Sequence, residues 1–472
     1  MLFTRTAERR YAVGFDLRED FCQISYYVMG EAEREPVTFS QGEGAEDFHI
    51  PTALCKKNGV NQWFCGKEAI ERAAAGEGTL VTGLFSAALR GAATVVGAEE
   101  YDACGLLALF VRRCFAMLAS KAPTEQIAAV MFTTERMTKE TAEMMVRLRR
   151  RMELPVEHVY CETHGNSFYN YMLMQQPSLR EREALLCECA GDGRLTASRL
   201  VFNEKTTPVV VFLEKKEYAF GEKTGAAGGA VQAGAGNGAA AGGAMRAAGK
   251  NGTLAGGVMQ PGAGNGAAAG SAMRPEEKDE AFLAILGDVI GERRPASAYL
   301  IGDGFKGGWM RKSLTYLCYQ RRVFQGNNLY SKGAAYGAMI RLQPPAVTQA
   351  YFFLGKSKLK ANVGMQALKR GQNAYHAVLD AGENWYEVDK TEEYILESGN
   401  TLQLIVTPLT GEAAAGHTIT LEGLPVRPAR ACRVRVRYTM PAPGRLNVRV
   451  EDLGFGEICP ASDGVWEQEL AV

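Results

Sequence analysis

With 472 residues, 46% of them hydrophobic and 22% charged, the chain has the composition of a folded globular protein and exceeds one ordinary core, so two or three domains are expected. Lys plus Arg (53) equals Asp plus Glu (53), which excludes a global field that would gather nucleic acid or an anionic membrane; such a partner would need a local patch. No apolar run approaches the roughly 20 residues that cross a bilayer, and the opening MLFTRTAERR lacks a signal-peptide core, so a cytoplasmic location without a membrane partner is expected.

In chain order, the first element is a hairpin. Residues 11–17 form an apolar strand carrying Gly14 and Asp16, Arg18-Glu19-Asp20 makes the turn, and residues 21–27 return with alternating character. In nucleotide-binding folds such a turn holds phosphate through glycine backbone N–H groups and hydroxyls, whereas this tip carries a cation and two carboxylates. Residues 48–54 read as an edge strand containing Pro51, and 62–66 as a strand closing on Gly66 before a helix. Apolar residues recur at helical spacing over 101–119, and 127–132 is a continuous apolar strand of the kind buried in parallel sheets. A helix over 138–152 follows, whose Arg147, Arg149, Arg150 and Arg151 read as a solvated face. Then come a strand over 156–160 and a polar loop over 162–168 that contains Glu162. Strand, helix, strand and polar loop is the α/β order, in which sites form at the carboxyl ends of strands.

A second hairpin of the same layout begins at 184–189, turns through Gly191-Asp192-Gly193 and returns over 195–201. Two such hairpins, each opening a half of the chain, predict an internally duplicated fold with one cleft. The 11 cysteines include no Cys-x-x-Cys pair, and even Cys187-x-Cys189 lies in this strand, so they read as reduced, mostly buried thiols rather than zinc ligands. Between 224 and 275 the composition collapses to Gly and Ala, and GAGNGAAAGGAMR (234–246) recurs as GAGNGAAAGSAMR (262–274). So many glycines cannot offset their ordering entropy, which predicts a flexible insertion; the absence of a Gly-Lys-Ser/Thr end argues against a phosphate loop. A helix over 276–290, a strand over 298–301, the turn Gly302-Asp303-Gly304, a helix over 309–318, a strand over 322–325 and a small-residue helix over 330–339 complete this region.

Beyond a linker at 344–349 the character changes. Short alternating strands at 401–407, 417–421, 432–438 and 446–450, separated by Gly and Pro turns, predict an all-β sandwich over 350–472. Val434 and Val436 face one way, and Arg433, Arg435 and Arg437 the other, where Arg449 joins them; this reads as a solvated outer face rather than a nucleic-acid patch.

This order resembles the seventy-kilodalton heat-shock chaperones and, more widely, the actin-like ATPase superfamily. The residues that carry the resemblance are Val13-Gly14-Phe15-Asp16-Leu17, similar to the family's first phosphate strand, Ile50-Pro51-Thr52 with Gly66-Lys67-Glu68-Ala69, and Val159-Tyr160-Cys161-Glu162 at the connecting strand. Leu300-Ile301-Gly302-Asp303-Gly304 with Lys332-Gly333-Ala334-Ala335 resembles the adenosine turn and its helix. In the tail, Ile419 to Pro425, Val434 to Tyr438 and Gly444 to Asp452 follow the last strands of the chaperones' substrate-binding sandwich; no segment corresponds to the helical lid. The resemblance implies a duplicated actin-like (ribonuclease H-like) nucleotide-binding domain over 1–343 followed by the sandwich. It implies ATP or ADP with Mg²⁺ as cofactors, Asp16 and Glu162 as the catalytic pair, Asp16 holding Mg²⁺ through water, and Gly14, Arg18, Gly191, Gly193, Gly302, Asp303 and Gly304 against the nucleotide.

The departures fall on the chemistry. The family's Gly-Thr-Thr turn is here Arg18-Glu19-Asp20, and its second glycine-rich turn is Glu188-Cys189-Ala190-Gly191-Asp192-Gly193. Phosphoryl transfer depends on positioning and on neutralising negative charge, which carboxylates at the tip oppose. The expectation is therefore a chaperone-like protein with a degenerate nucleotide site, a pseudo-ATPase that binds a peptide or protein partner through its sandwich. The alternative is an active ATPase in which Glu19, Asp20 or Asp192 holds a metal and Arg18 or Arg194 contacts phosphate; a sugar kinase or filament-forming relative shares the first domain only.

Overall fold

The computed structural model describes residues 10–31, 34–41, 48–191, 193–220, 273–292, 294–369 and 371–472. The Gly/Ala-rich insertion expected over 224–275 lies outside the described residues except for its last three, and so does Asp192. The protein is mixed α/β and divides into two compact units, one of Met1–Leu185, Arg199–Glu214 and Gly326–Val472, the other of Leu186–Ser198 and Lys215–Gln325.

The chain opens with β1 (Tyr11–Leu17), β2 (Phe21–Val28), β3 (Val37–Thr38) and β4 (Ile50–Pro51). A small antiparallel sheet of Leu54–Lys57, Trp63–Cys65 and Gly78–Val81 precedes helices α1 (Leu84–Arg90) and α2 (Ala103–Leu118). Then follow β5 (Ile127–Thr134), α3 (Lys139–Met152), β6 (His158–Thr163) and α4 (His164–Leu173). Next come β7 (Ala184–Cys189), β8 (Arg194–Asn203), β9 (Val209–Ala219), α5 (Pro275–Ile290), β10 (Ser297–Ile301), α6 (Lys312–Cys318), β11 (Arg322–Gln325) and α7 (Leu329–Leu342).

In the first unit the strands lie in the order β6-β5-β1-β2-β3, with β4 also on β2; β1 pairs with β5 in parallel and with β2 in antiparallel. A second six-stranded sheet has the order β11-β10-β7-β8-β9 and continues from β9 to Tyr351–Leu354. In each sheet three successive strands lie side by side, and the first of them borders two later strands.

Every residue of β1 is buried. Val13, Phe15 and Leu17 join Phe110 and Phe115 of α2 and Leu148 of α3, while Ala12 on the opposite face meets Ala334, Ala335 and Ala338 of α7. A strand covered by helices on both faces must be apolar throughout, which is what the sequence of β1 supplies up to Asp16. Helix starts are set by caps. Asp102 accepts the Gly105 N–H at 3.0 Å, so the helix expected from 101 begins at Ala103, and Thr138 and Thr163 cap α3 and α4 in the same way. The polar loop expected over 162–168 is instead the end of β6 and the first turns of α4, because Thr163 caps directly at the strand end.

After α7, the strand β12 (Tyr351–Leu354) pairs in parallel with Val209–Phe212 of β9, and the Phe353 ring stacks on Tyr169 of α4 at 4.5 Å. The rest of the chain is antiparallel: β13 (Ala361–Lys369), β14 (Gln372–Leu379), β15 (Asp389–Leu396), β16 (Thr401–Pro408), β17 (Ala415–Thr420), β18 (Cys432–Ala442), β19 (Arg445–Gly454) and β20 (Val465–Ala471). They form two four-stranded sheets, β14-β13-β16-β17 and β15-β18-β19-β20, that share one core of residues such as Val363, Leu404, Val434, Val436, Tyr438 and Val448. The outward arginines of β18 and β19 are interleaved with acids: Arg435 with Glu393 at 3.0 Å, Arg437 with Asp389 at 2.7 Å, Arg449 with Glu451 at 3.1 Å. Each exposed pair is worth little, but together they cancel the field of the face. Among the described residues, no helix is long and apolar enough to cross a membrane.

The closest helix–sheet approach lies at Gly14, where a Cβ would stand 2.1 Å from the Ser331 carbonyl oxygen and 2.2 Å from the Ala335 nitrogen of α7. Backbone cannot yield as a side chain can. Gly14→Ala is expected to lower the unfolding free energy by about 1–3 kcal/mol through overpacking, measured by urea denaturation; an unchanged midpoint would show that α7 is not seated on β1.

Candidate functional site

Alternation along β1 turns Ala12, Gly14 and Asp16 to the side on which α7 packs. Asp16 therefore ends the strand as a fully buried carboxylate. Its Oδ2 accepts a hydrogen bond from Arg18 Nε at 3.0 Å, and its Oδ1 lies 2.7 Å from His164 Nε2. An ionised carboxylate has no proton to give, so the imidazole donates through Nε2. His164 opens α4 immediately after its cap Thr163, and the parallel register of β5 and β6 delivers that helix start to the same strand ends. The His164 ring stacks on Tyr330 of α7 at 4.1 Å, and the Arg18 guanidinium lies 5.0 Å from the Phe21 ring and 5.4 Å from that of Tyr330. Burial alone would raise the Asp16 pKa; Arg18 and His164 more than offset it and hold the carboxyl below its ordinary value.

The hairpin tip is held by its neighbours. Thr52 donates its hydroxyl to the Arg18 carbonyl at 3.1 Å and its N–H to the Asp20 carbonyl at 3.0 Å. Glu19 accepts the Ser86 N–H at 2.9 Å in the first turn of α1, and Asp20 accepts the Phe21 N–H at 3.1 Å. The two carboxylates thus serve the turn and α1, and among the described residues no group of three His, Cys, Asp or Glu side chains is arranged to hold a metal ion.

Asp16, Thr133 and Glu162 lie in one row across β1, β5 and β6. Glu162 is bonded to Ser167 at 2.6 Å and accepts from Asn170 Nδ2 at 2.9 Å, both from α4, and Ser167 lies 2.8 Å from the Thr133 hydroxyl. Burial pushes the Glu162 pKa up to about 8, against the opposing pull of Ser167, Arg341 and Asn170. Ser167 Oγ and Asn170 Nδ2 both donate to the Glu162 carboxyl, while its desolvation acts the other way and wins. Gly337 of α7 closes over it: a Cβ there would sit 2.9 Å from Glu162 Oε2 and 2.6 Å from Asn170 Nδ2.

The remaining predicted nucleotide residues lie in the second unit. Gly302 has φ +97, and a Cβ on it would be 2.3 Å from the Cys189 carbonyl oxygen; one on Gly304 would be 2.2 Å from Cys189 Sγ. These glycines let the end of β10 pass the end of β7. The Gly304 carbonyl accepts from Lys278 Nζ at 2.9 Å and from Trp309 Nε1 at 3.1 Å, with Lys278 Nζ lying 4.4 Å from the Trp309 ring. Asp303 pairs with Lys306 at 2.8 Å. Gly193 has φ 80 and makes the turn between β7 and β8, and nothing lies within 4 Å of a Cβ placed on Gly191.

The structure thus joins Asp16 directly to Arg18, places Glu162 in the same row, and sets Gly14 against α7. The Arg18 guanidinium already neutralises the carboxylate that would order the metal's water, and a divalent cation beside it would meet a like charge. His164, Tyr330, Lys278 and Trp309 were not among the expected site residues. The signal for His164 was present: a Thr with Asn three residues on, directly after a strand, starts a helix rather than a loop.

Residues 35–356 match the model described as Family of unknown function (DUF5716) C-terminal. The chain belongs to that family. Residues 358–472 match the model described as Domain of unknown function (DUF8552), so the two matches meet just after β12. No curated protein matches the chain.

The raised pKa of the half-buried Glu162 has a measurable consequence. Between the ordinary Glu value of 4.5 and about 8, native Glu162 holds a proton that the unfolded chain has released. Stability must then fall as pH rises through that window. Glu162→Gln, which keeps the shape without the titration, should flatten this fall; an identical pH dependence of the urea midpoint in wild type and variant would contradict the assignment.

Proposed function

We propose that the protein is a chaperone-like binding protein on a duplicated actin-like scaffold, with its nucleotide site closed by its own side chains, and that its carboxy-terminal sandwich engages an extended peptide or a protein partner. The observation that carries this reading is the Asp16 carboxylate bonded to Arg18 at 3.0 Å and to His164 at 2.7 Å. Where an actin-like ATPase needs a metal and phosphates, this chain supplies a guanidinium and an imidazole. Duplication is supported by the part of the strand order that the two sheets share, β6-β5-β1-β2-β3 and β11-β10-β7-β8-β9, the second sheet continuing from β9 to β12.

The sandwich reading rests on two four-stranded antiparallel sheets around one core, whose edge strands β14, β17, β15 and β20 each pair on one side only. An extended segment binds such architecture through main-chain hydrogen bonds, and side-chain pockets give its specificity. Because a fold does not fix an activity, the choice rests on the Asp16 cluster rather than on the scaffold.

Isothermal titration of the full chain with ATP and MgCl₂ tests the reading. No saturable heat and no phosphate release are expected. Micromolar binding with steady turnover, abolished by Asp16→Asn, would establish a working ATPase instead.

A further inference from the structure

The sequence carries no Asp or Glu between Asp303 and Asp380, although acids and bases balance over the whole chain. Within the second unit this acid-free stretch includes Lys306, Arg311, Lys312, Arg321 and Arg322. Lys306 and Lys312 find acids outside the stretch, Asp303 at 2.8 Å and Glu280 at 2.7 Å. Arg311, Arg321 and Arg322 have no carboxylate partner among the described residues; Arg321 donates to the Tyr316 carbonyl at 3.4 Å. These three cations stand without an acid among the described residues, unlike the interleaved arginines of β18 and β19.

They flank an edge strand. Among the described residues, β11 (Arg322–Gln325) ends its sheet and pairs only with β10. Arg322 donates its N–H toward this neighbour, to the Ala296 carbonyl at 3.1 Å, so by alternation the backbone N–H and C=O of Val323 point away from the sheet. Exposed edges are usually blunted by charged side chains, prolines, bulges or a covering element. Here the approach is lined by large apolar groups: Tyr319 is 68% exposed, Phe324 39% and Leu314 of α6 37%.

We infer that β11 is a docking edge for an acidic, extended segment of a protein partner, which adds a strand beside Val323 and sets its carboxylates on Arg321 and Arg322 and its apolar side chains on Tyr319 and Phe324. Free main-chain groups favour a peptide over a nucleic acid, whose phosphates would use the arginines and rings but not the strand edge.

The probe is a fluorescein-labelled peptide, Glu-Val-Glu-Val-Glu-Tyr-Glu-Val, titrated into the full chain by anisotropy, with its Lys-for-Glu analogue, a backbone N-methylated version and a thymidine oligonucleotide as comparisons. Saturable binding is expected for the acidic peptide, with the Val323 amide exchanging more slowly in the complex. R321E/R322E is expected to weaken it by about tenfold or more, because lining charges set recognition. N-methylation should weaken it comparably without altering the protein, which separates edge docking from misfolding of the variant. No saturation by about 1 mM, equal binding of the N-methylated or lysine peptide, or tighter binding of the oligonucleotide would overturn the inference.

Discussion

The first unit depends on how one buried charge is satisfied. Asp16 sits at the end of a strand covered on both faces, where an unpaired carboxylate would be strongly unfavourable. The chain meets this requirement locally, with Arg18 from the turn, and over a long sequence distance, with His164 from the start of α4. Because His164 is also stacked on Tyr330, the same carboxylate joins the opening hairpin, α4 and α7. The tip sequence Arg18-Glu19-Asp20, unsuited to phosphate, is well suited to this arrangement: the arginine turns inward and the two acids accept N–H groups from α1 and from the turn itself.

Around that pair the small residues have mechanical roles. Gly14 lets α7 lie against β1. Gly333 and Gly337 let it lie against α4, where a Cβ on Gly333 would stand 2.0 Å from the Ser167 carbonyl oxygen. The same close packing half-buries Glu162, and that desolvation raises its pKa, so helix packing and the titration of Glu162 are linked. The contact continues along α4 to Tyr169 and Phe353, and through β12 into the chain that leads to the two carboxy-terminal sheets.

Much of this was legible from residue order. The continuous apolar run of β5 announced a strand buried on both faces, and the alternation of valine and arginine in β18 gave its facing directly. What escaped were elements whose stability comes from neighbours. The strand β15, DKTEEYIL, is mostly charged, and β14, QNAYHAVL, alternates weakly; as edge strands they take their conformation from β18 and β13 rather than from their own propensity. The cluster on Asp16 was legible only in part. Arg18 lies two residues away, but His164 lies 148 residues on, and only the register of three strands brings it there. The same distance hid the second purpose of the glycines, which clear a path for backbone here rather than for an anion.

The central claim is that Asp16 is held by the Arg18 guanidinium and the His164 imidazole and not by a metal. A crystal structure of the full chain soaked with Mg²⁺ and a non-hydrolysable ATP analogue tests it most directly. The account predicts density for Arg18 Nε and His164 Nε2 on the Asp16 oxygens, as in the structure described above, and none for nucleotide. Arg18 swung away from Asp16, with a hydrated Mg²⁺ and phosphates in its place, would contradict it.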